Sequence, residues 1–186
     1  MEQGIYVAII IVLTLALLGV FISLLISLLL APIVSTPKNI RSEIMEKMDL
    51  KKGEILLDLG SGYGIFLIEA AKKYGVKGFG YEISPAGIFI SRIIKLFKPR
   101  IRKNIVIVPK NFLERSNLPV ADKIYCFLSS KAMKSVYKRL LKEEIDENIK
   151  IYSYRYPFPE VREKKKEKLS DNNYLYIYDA KSFNRG

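Results

Sequence analysis

Ile55-Leu56-Leu57-Asp58-Leu59-Gly60-Ser61-Gly62-Tyr63-Gly64 is the stretch that decides the fold of this chain. An apolar run of strand length carries one carboxylate, opens into a turn with glycine at every second position, and then returns to helical spacing. Glycines at 60, 62 and 64 let the backbone turn sharply, let a ligand lie on bare main chain, and let the next helix pack close to the strand. The spacing is G-x-G-x-G. It is neither the dinucleotide pattern G-x-G-x-x-G nor a phosphate loop ending in Gly-Lys-Ser/Thr. Asp58, just ahead of the turn, would repel pyrophosphate and suits a ligand that carries an ammonium group.

Working outward, strands are expected at 54–58, 76–82, 104–108, 122–128 and 148–155, alternating with helices at 63–74, 85–97 and 131–144. Strand alternating with helix predicts a parallel sheet with right-handed crossovers. Residues 161–169 and 174–178 flank the turn-forming Ser170-Asp171-Asn172-Asn173, which predicts an antiparallel hairpin closing one sheet edge. Ahead of the sheet, Ala31-Pro32 breaks one helix. Thr36 as N-cap and Pro37 at the first helical position start another, which ends near Met48. The fold class is therefore α/β: a Rossmann-like seven-strand sheet with a C-terminal antiparallel hairpin.

Two further features align with the glycine turn. Gly80-Tyr81-Glu82 puts a carboxylate at the end of the second strand, about 20 residues after the turn, where an acceptor suits a ribose diol. After the third strand, Asn111-Phe112 offers an amide for an adenine edge beside an aromatic ring. Ammonium, ribose and adenine together make S-adenosylmethionine the expected cofactor.

Composition narrows the chemistry. The 186 residues include no His, no Trp and one cysteine, Cys126, so His-based triads, His-ligated zinc, CxxC clusters and intramolecular disulfides are excluded. Cys126 lies in the apolar run Tyr125-Cys126-Phe127-Leu128 and is read as a small buried hydrophobe. Methyl transfer from a sulfonium needs no histidine, because the electrophile is supplied ready-made.

The apolar content is concentrated at the N-terminus. From Gln3 to Pro37 there is no charged residue, and 19 of the 26 residues from 5 to 30 are Ile, Leu, Val or Phe. Insertion of such a helix gains on the order of 6 to 11 kcal/mol. Its length of about 39 Å exceeds a hydrocarbon slab of about 30 Å. Only Glu2 precedes the run, whereas Lys38, Arg41, Lys47, Lys51 and Lys52 follow it. This bias predicts a single-pass anchor in the cell membrane, N-terminus outside and the rest cytoplasmic. Seven cations between Arg92 and Lys110, with no acid among them, form a patch suited to anionic lipid headgroups or to nucleic acid.

The motifs together resemble those of the class I (seven-strand) methyltransferases. Within that group they are similar to the membrane-anchored mitochondrial protein-lysine methyltransferases acting on the ATP synthase c subunit and the adenine nucleotide translocase, and to their archaeal relatives. Val34-Ser35-Thr36-Pro37 is similar to V-P-T-P, Asp58-Leu59-Gly60-Ser61-Gly62 to D-L-G-S-G, and Gly80-Tyr81-Glu82-Ile83-Ser84-Pro85 to G-x-E-L-N-P. Ser91-Arg92, Asn111-Phe112, Phe127-Leu128-Ser129 and Arg155-Tyr156-Pro157-Phe158-Pro159 fall where the branch has similar residues. The chain departs at Gly62-Tyr63-Gly64-Ile65, where the family usually has G-D-G-R. It also lacks the Asn/Asp-Pro-Pro-Tyr/Phe motif of base-amine methylases.

The resemblance implies a short external segment (1–4), a membrane helix (5–30), a linker with an N-terminal helix (31–52) and a methyltransferase domain (53–186). It implies cofactor contacts at Thr36, Pro37, Asp58, Gly60, Ser61, Gly62, Tyr63, Gly64, Glu82, Ile83, Asn111 and Phe112. The substrate slot is expected at Phe127, Leu128, Ser129, Tyr154, Tyr156 and Pro157, with Thr36-Pro37 as a lid; no metal and no general base is assigned. The expected function is methylation of lysine side chains of proteins, with a membrane protein as a candidate substrate. Lipid or quinone methylation, RNA methylation, and a non-catalytic cofactor-binding module are the alternatives.

Overall fold

The computed structural model describes residues 2–30, 35–114, 118–142 and 145–183. The expected break at Ala31-Pro32, Val34 of the V-S-T-P motif and the end of the 131–144 helix lie outside these. The elements are α1 (Glu2–Leu30), α2 (Lys38–Met48), β1 (Ile55–Leu59), α3 (Ile65–Tyr74), β2 (Lys77–Tyr81), α4 (Pro85–Leu96), β3 (Ile105–Val108), β4 (Lys123–Cys126), α5 (Ser130–Leu140), β5 (Lys150–Tyr154), β6 (Lys165–Lys168) and β7 (Tyr174–Asp179). Short 3-10 turns follow at Arg102–Asn104, Phe112–Glu114 and Ala180–Ser182.

One seven-stranded sheet runs in the order β3-β2-β1-β4-β5-β7-β6. The first five strands pair in parallel, and β7 pairs antiparallel with both β5 and β6. The expected seven-strand α/β sheet with its closing hairpin is thus what forms. Strands β2 to β6 are shorter than expected, most of all β6: Val161 to Lys164 stay outside the ladder, where the chain still travels from Pro157 round to the sheet edge. Strand β1 is shifted by one residue, and β7 extends one further, to Asp179.

Side-chain alternation along the strands sorts the core into two layers. Leu56, Tyr125, Tyr152, Leu175 and Ile177 face α2 and α3, packing on Ile40, Ile44, Met45, Met48 and Leu67. Leu57, Leu59, Ile124, Cys126, Ile151 and Tyr178 face Met133, Val136 and Leu140 of α5 and Phe183. Cys126 is fully buried there, and burial pushes its thiol well above the usual range. It serves as packing.

The start of α2 corrects one expectation. Pro37, not Thr36, occupies the N-cap position and makes no side-chain cap bond. Thr36 is instead buried, its hydroxyl 3.3 Å from the Tyr125 hydroxyl. The helix ends at Met48 as expected, with Asp49 in the left-handed conformation. In α1, the 24 residues Gln3–Ile26 are long and apolar enough to cross a membrane, and none of them is buried. Of the other described elements, α4 is the one this helix contacts most.

Candidate active site

The strand order reverses between β1 and β4, and in open α/β sheets the crevice outside the carboxyl ends at such a switch point is where ligands bind. The chain leaving β1 is held against β2: the Gly60 and Ser61 amides both donate to the Tyr81 carbonyl, at 3.0 and 2.8 Å. Gly60 has φ +99°, and a Cβ there would sit 2.5 Å from Leu128 Cδ2, beyond the end of β4. Neither the conformation nor the space admits another residue easily. Gly80 answers to a different need, since a Cβ on it would lie 2.6 Å from Ser61 Oγ. The loop therefore lies flat across β2 only because position 80 is bare.

Two cavities open at this place, sharing Gly60, Gly62 and Phe127 in their walls. The larger, about 520 Å³, lies within the size range of small-molecule sites. Its walls include Tyr81, Glu82, Ile83, Asn111 and Phe112 on one side and Leu128, Ser129, Arg155 and Tyr156 on the other. The smaller, about 50 Å³, is enclosed by Thr36, Arg41, Asp58, Ser61, Tyr63 and Tyr125 among others.

Glu82 locks the larger cavity to the glycine turn. One carboxylate oxygen accepts from the Gly62 amide at 2.6 Å, and the other from the Ile83 and Ser84 amides at 2.9 and 2.6 Å. A carboxylate has about four lone-pair directions, so three bonds leave one for a hydroxyl in the cavity. Glu82 is thus both the clamp that shapes the turn and an acceptor with room left. Asn111 is engaged locally: its amide donates to Glu114 at 2.8 Å, and its oxygen accepts from the Leu113 amide at 3.1 Å. It lines the cavity as the cap of a 3-10 turn rather than as a free amide.

In the smaller cavity, Asp58 is buried, and among the described residues its carboxyl accepts no hydrogen bond. Burial, together with the negative charge of Glu82, pushes its pKa up to about 8. Ser61 Oγ beside it is likewise buried without a partner. Unpaired polar atoms of this kind are rare in folded proteins and call for a ligand or water.

Arg41 closes the roof. It forms a two-pronged pair with Glu69 at 2.8 and 2.7 Å and donates to the Thr36 carbonyl. Sequence reading missed this residue, because nothing in the spacing ties Arg41 to a carboxylate 28 positions later on α3.

The expected substrate-slot residues separate into two groups. Phe127, Leu128, Ser129 and Tyr156 line the larger cavity; Tyr154 and Pro157 do not. Tyr154 turns to the opposite face of the sheet, 4.6 Å from Phe127 ring to ring, with its hydroxyl on Asp171. Alternation in β5 makes this unavoidable, since residues two apart share a face and Ser153 lies on the other one. Beyond β5, Arg155 adopts φ +74°, in a bend pinned by its amide to the Tyr174 carbonyl at 2.8 Å and by Ser153 Oγ to the Tyr156 carbonyl. A strained non-glycine residue at a cavity rim is a common mark of functional sites. Of the expected cofactor contacts, Thr36, Asp58, Gly60, Ser61, Gly62, Tyr63, Glu82, Ile83, Asn111 and Phe112 line one cavity or the other, whereas Pro37 and Gly64 line neither.

A family model described as the ANTKMT methyltransferase domain matches residues 58–165. The chain belongs to this family. It is a methyltransferase, with S-adenosylmethionine as its cofactor. A curated relative, a protein-lysine N-methyltransferase of Saccharolobus islandicus, is 27% identical over 152 residues, covering 78% of this chain and 92% of the relative. Among solved structures, an RNA methyltransferase from Salinibacter ruber in complex with S-adenosyl-L-homocysteine superposes with a TM-score of 0.72 at 20% identity, covering 79% of this chain and 94% of that one. A methyltransferase from Geobacter sulfurreducens, also with S-adenosyl-L-homocysteine, gives 0.55 at 16% identity; this chain covers 53% of its length. These two likenesses establish the fold.

The residues present fit this cofactor. The unpaired Asp58 carboxyl and the Ser61 hydroxyl suit the polar end of a methionine moiety, and the free acceptor direction of Glu82 suits a ribose hydroxyl. Phe112 and Ile83 provide apolar walls for a purine. Tyr63, where the family usually has an acid, is half-buried in the wall of the smaller cavity and leaves it open.

Proposed function

We propose that this protein methylates lysine side chains of proteins while anchored to a membrane by α1. Bound S-adenosylmethionine supplies an electrophilic methyl group on a sulfonium. The observation that carries the reading is the buried, unpaired Asp58 in the smaller cavity, which adjoins, across Gly60, Gly62 and Phe127, the larger cavity lined by Leu128, Ser129, Arg155 and Tyr156. Asp58 would hold the cationic amino-acid end and Glu82 the sugar, and Phe127, Leu128 and Tyr156 would line the approach for the substrate amine.

A lysine must arrive neutral, and its reference pKa of about 10.4 opposes this. Apolar walls favour the neutral amine, and the cations at the rim, Lys110 and Arg155, push in the same direction. Among the described residues Glu82 is the only acid lining the larger cavity, and its amide bonds hold it in place. The proton is therefore lost to water before the amine seats, and the chain contributes orientation and water exclusion.

Lysine as substrate is supported by the name of the Saccharolobus islandicus relative. Membrane attachment is supported by the exposed apolar span Gln3–Ile26 and by the cations that follow it, which favour the N-terminus outside and residues 31–186 in the cytoplasm. On this reading 5–30 is the span, 31–52 the connection and 53–186 the catalytic domain. Tethering confines the enzyme to substrates near the bilayer and raises their effective concentration.

The test is transfer of labelled methyl from S-adenosylmethionine into native membranes. Label that resists lipid extraction and nuclease, and maps to lysine by mass spectrometry, is the expected result. Label lost with lipid or with nuclease would replace lysine by a lipid or an RNA substrate. Tight cofactor binding without transfer would make the protein a binding module.

A further inference from the structure

Helix α4 is apolar on two faces, and the fold covers only one. Ala86, Gly87 and Ser91 are buried, and Ile94 packs against the core beneath the sheet's helical layer. The other face displays Phe89, Ile93, Leu96 and Phe97, spaced i, i+4, i+7 and i+8, with Leu96 66% and Phe97 77% exposed. A helix that is apolar all round belongs in a buried setting, and four large apolar side chains on one exposed stripe mark an interaction surface.

The surroundings of that stripe carry one sign of charge. From Ile83 to Lys110 there is no acid. Arg92, Lys98, Arg100, Arg102 and Lys103 are exposed, and among the described residues none of them forms an ion pair. Lys95 is the exception to this availability: its ammonium donates to the Ile105 carbonyl at 2.6 Å and ties the helix to β3. An apolar stripe bordered by free cations is the pattern of a helix lying in the interface of an anionic bilayer, with apolar side chains among the acyl chains and cations at the headgroups. The element that α1 contacts most among those described is this same helix, so the surface and the proposed span lie together.

We infer that α4, with the basic segment 98–103 after it, docks on the headgroup region of an anionic membrane and fixes the orientation of the catalytic domain. The inference rests on the reading of α1 as a membrane span. Its functional content is geometric. Ile83, just ahead of α4, is 67% exposed and lines the larger cavity, so docking α4 sets the cofactor cavity beside the bilayer surface. Substrates would then be lysines within a few residues of a membrane, presented from the side.

The experiment places spin labels on Phe89→Cys, Phe97→Cys, Leu13→Cys and Lys134→Cys in the full chain, reconstituted in phosphatidylcholine vesicles with and without about one-third phosphatidylglycerol. The native Cys126 is buried and serves as the blank. Collisions with oxygen, which concentrates in lipid, are compared with collisions with a water-soluble nickel chelate. The expected result is preference for oxygen at positions 13, 89 and 97 in anionic vesicles and for the chelate at 134 on α5.

Each exposed cation contributes roughly fivefold to association with an anionic surface. Changing Arg100, Arg102 and Lys103 to Gln is therefore expected to shift the docked-to-free ratio by on the order of a hundredfold. A label at 97 open to the chelate in both lipids, with 13 still in the bilayer, overturns the docking and leaves the anchor standing. A label at 13 open to the chelate overturns the anchor itself. Protection of 97 from both reagents means that protein, such as a second copy, covers the face. Equal insertion without phosphatidylglycerol overturns the role of the cations.

Discussion

Replacing Asp58 by Asn should stabilise the cofactor-free protein, and the gain should grow with pH. In the folded state burial and the Glu82 charge raise the Asp58 carboxyl from 3.8 to about 8, whereas in the unfolded chain it titrates near 3.9. Between those values the native state holds a proton that the unfolded chain has released. Stability therefore falls as pH rises through that window, by about 1.4 kcal/mol per unit, and the slope levels off above about pH 8. An amide of the same shape has no proton to hold. The stability difference between variant and wild type should widen by about 3 to 4 kcal/mol from pH 5 to pH 8, which is on the order of 10 °C in Tm for a domain of this size. The assay is thermal unfolding of both full-length proteins in nonionic detergent at pH 5, 6, 7 and 8, without cofactor. The same variant should bind S-adenosylmethionine at least 100-fold more weakly, since a buried charged partner is lost, an effect of about 3 kcal/mol. Parallel pH profiles for the two proteins would refute the reasoning, because they would mean that Asp58 is ionised in the folded state.

Gly60→Ala forces a left-handed backbone onto a residue with a Cβ and drives that carbon into Leu128. It should cost about 1 to 3 kcal/mol in urea unfolding and abolish cofactor binding by calorimetry. Glu82→Gln turns one acceptor oxygen into a donor that faces backbone N–H groups; hydrogen exchange at the Gly62 and Ser84 amides should accelerate and cofactor affinity should fall about 10- to 100-fold. Arg41→Ala releases Thr36 and leaves Glu69 unpaired; the cofactor Kd should rise about tenfold, and an Arg41/Glu69 double-mutant cycle should return a coupling of about 1 kcal/mol.

The sheet was legible because its signals are local and redundant. Apart from β6, whose Lys165–Lys168 is charged throughout, the strands are short, largely apolar runs, and helices α3, α4 and α5 or the Ser170 to Asn173 turn mark four of the connections, so most of the order of elements follows from spacing. The glycine turn was legible for a steric reason, and the strand-end acid Glu82 for a topological one. What escaped depended on through-space partners. Thr36 reads as an N-cap by its neighbour Pro37, yet Tyr125, 89 residues away, gives its hydroxyl a buried partner. Asn111 reads as a free amide, but Glu114 and the Leu113 amide, two to three residues on, satisfy it locally. Tyr154 reads as a slot residue by its closeness in sequence to Tyr156, while the positive φ at Arg155 puts a turn between them. The second apolar face of α4 was hidden within a helix whose apolar content reads equally well as core.

Cofactor recognition depends on Asp58 being the seat of the cationic end, and proton release on binding measures that directly. At pH 7 a carboxyl with a pKa of about 8 is mostly protonated, and a cation placed against it expels the proton. Titration calorimetry of S-adenosylmethionine in buffers of different ionisation enthalpy should therefore report release of close to one proton per molecule bound at pH 7, and none for Asp58→Asn. Tight binding to the wild-type protein with no dependence on the buffer would contradict it.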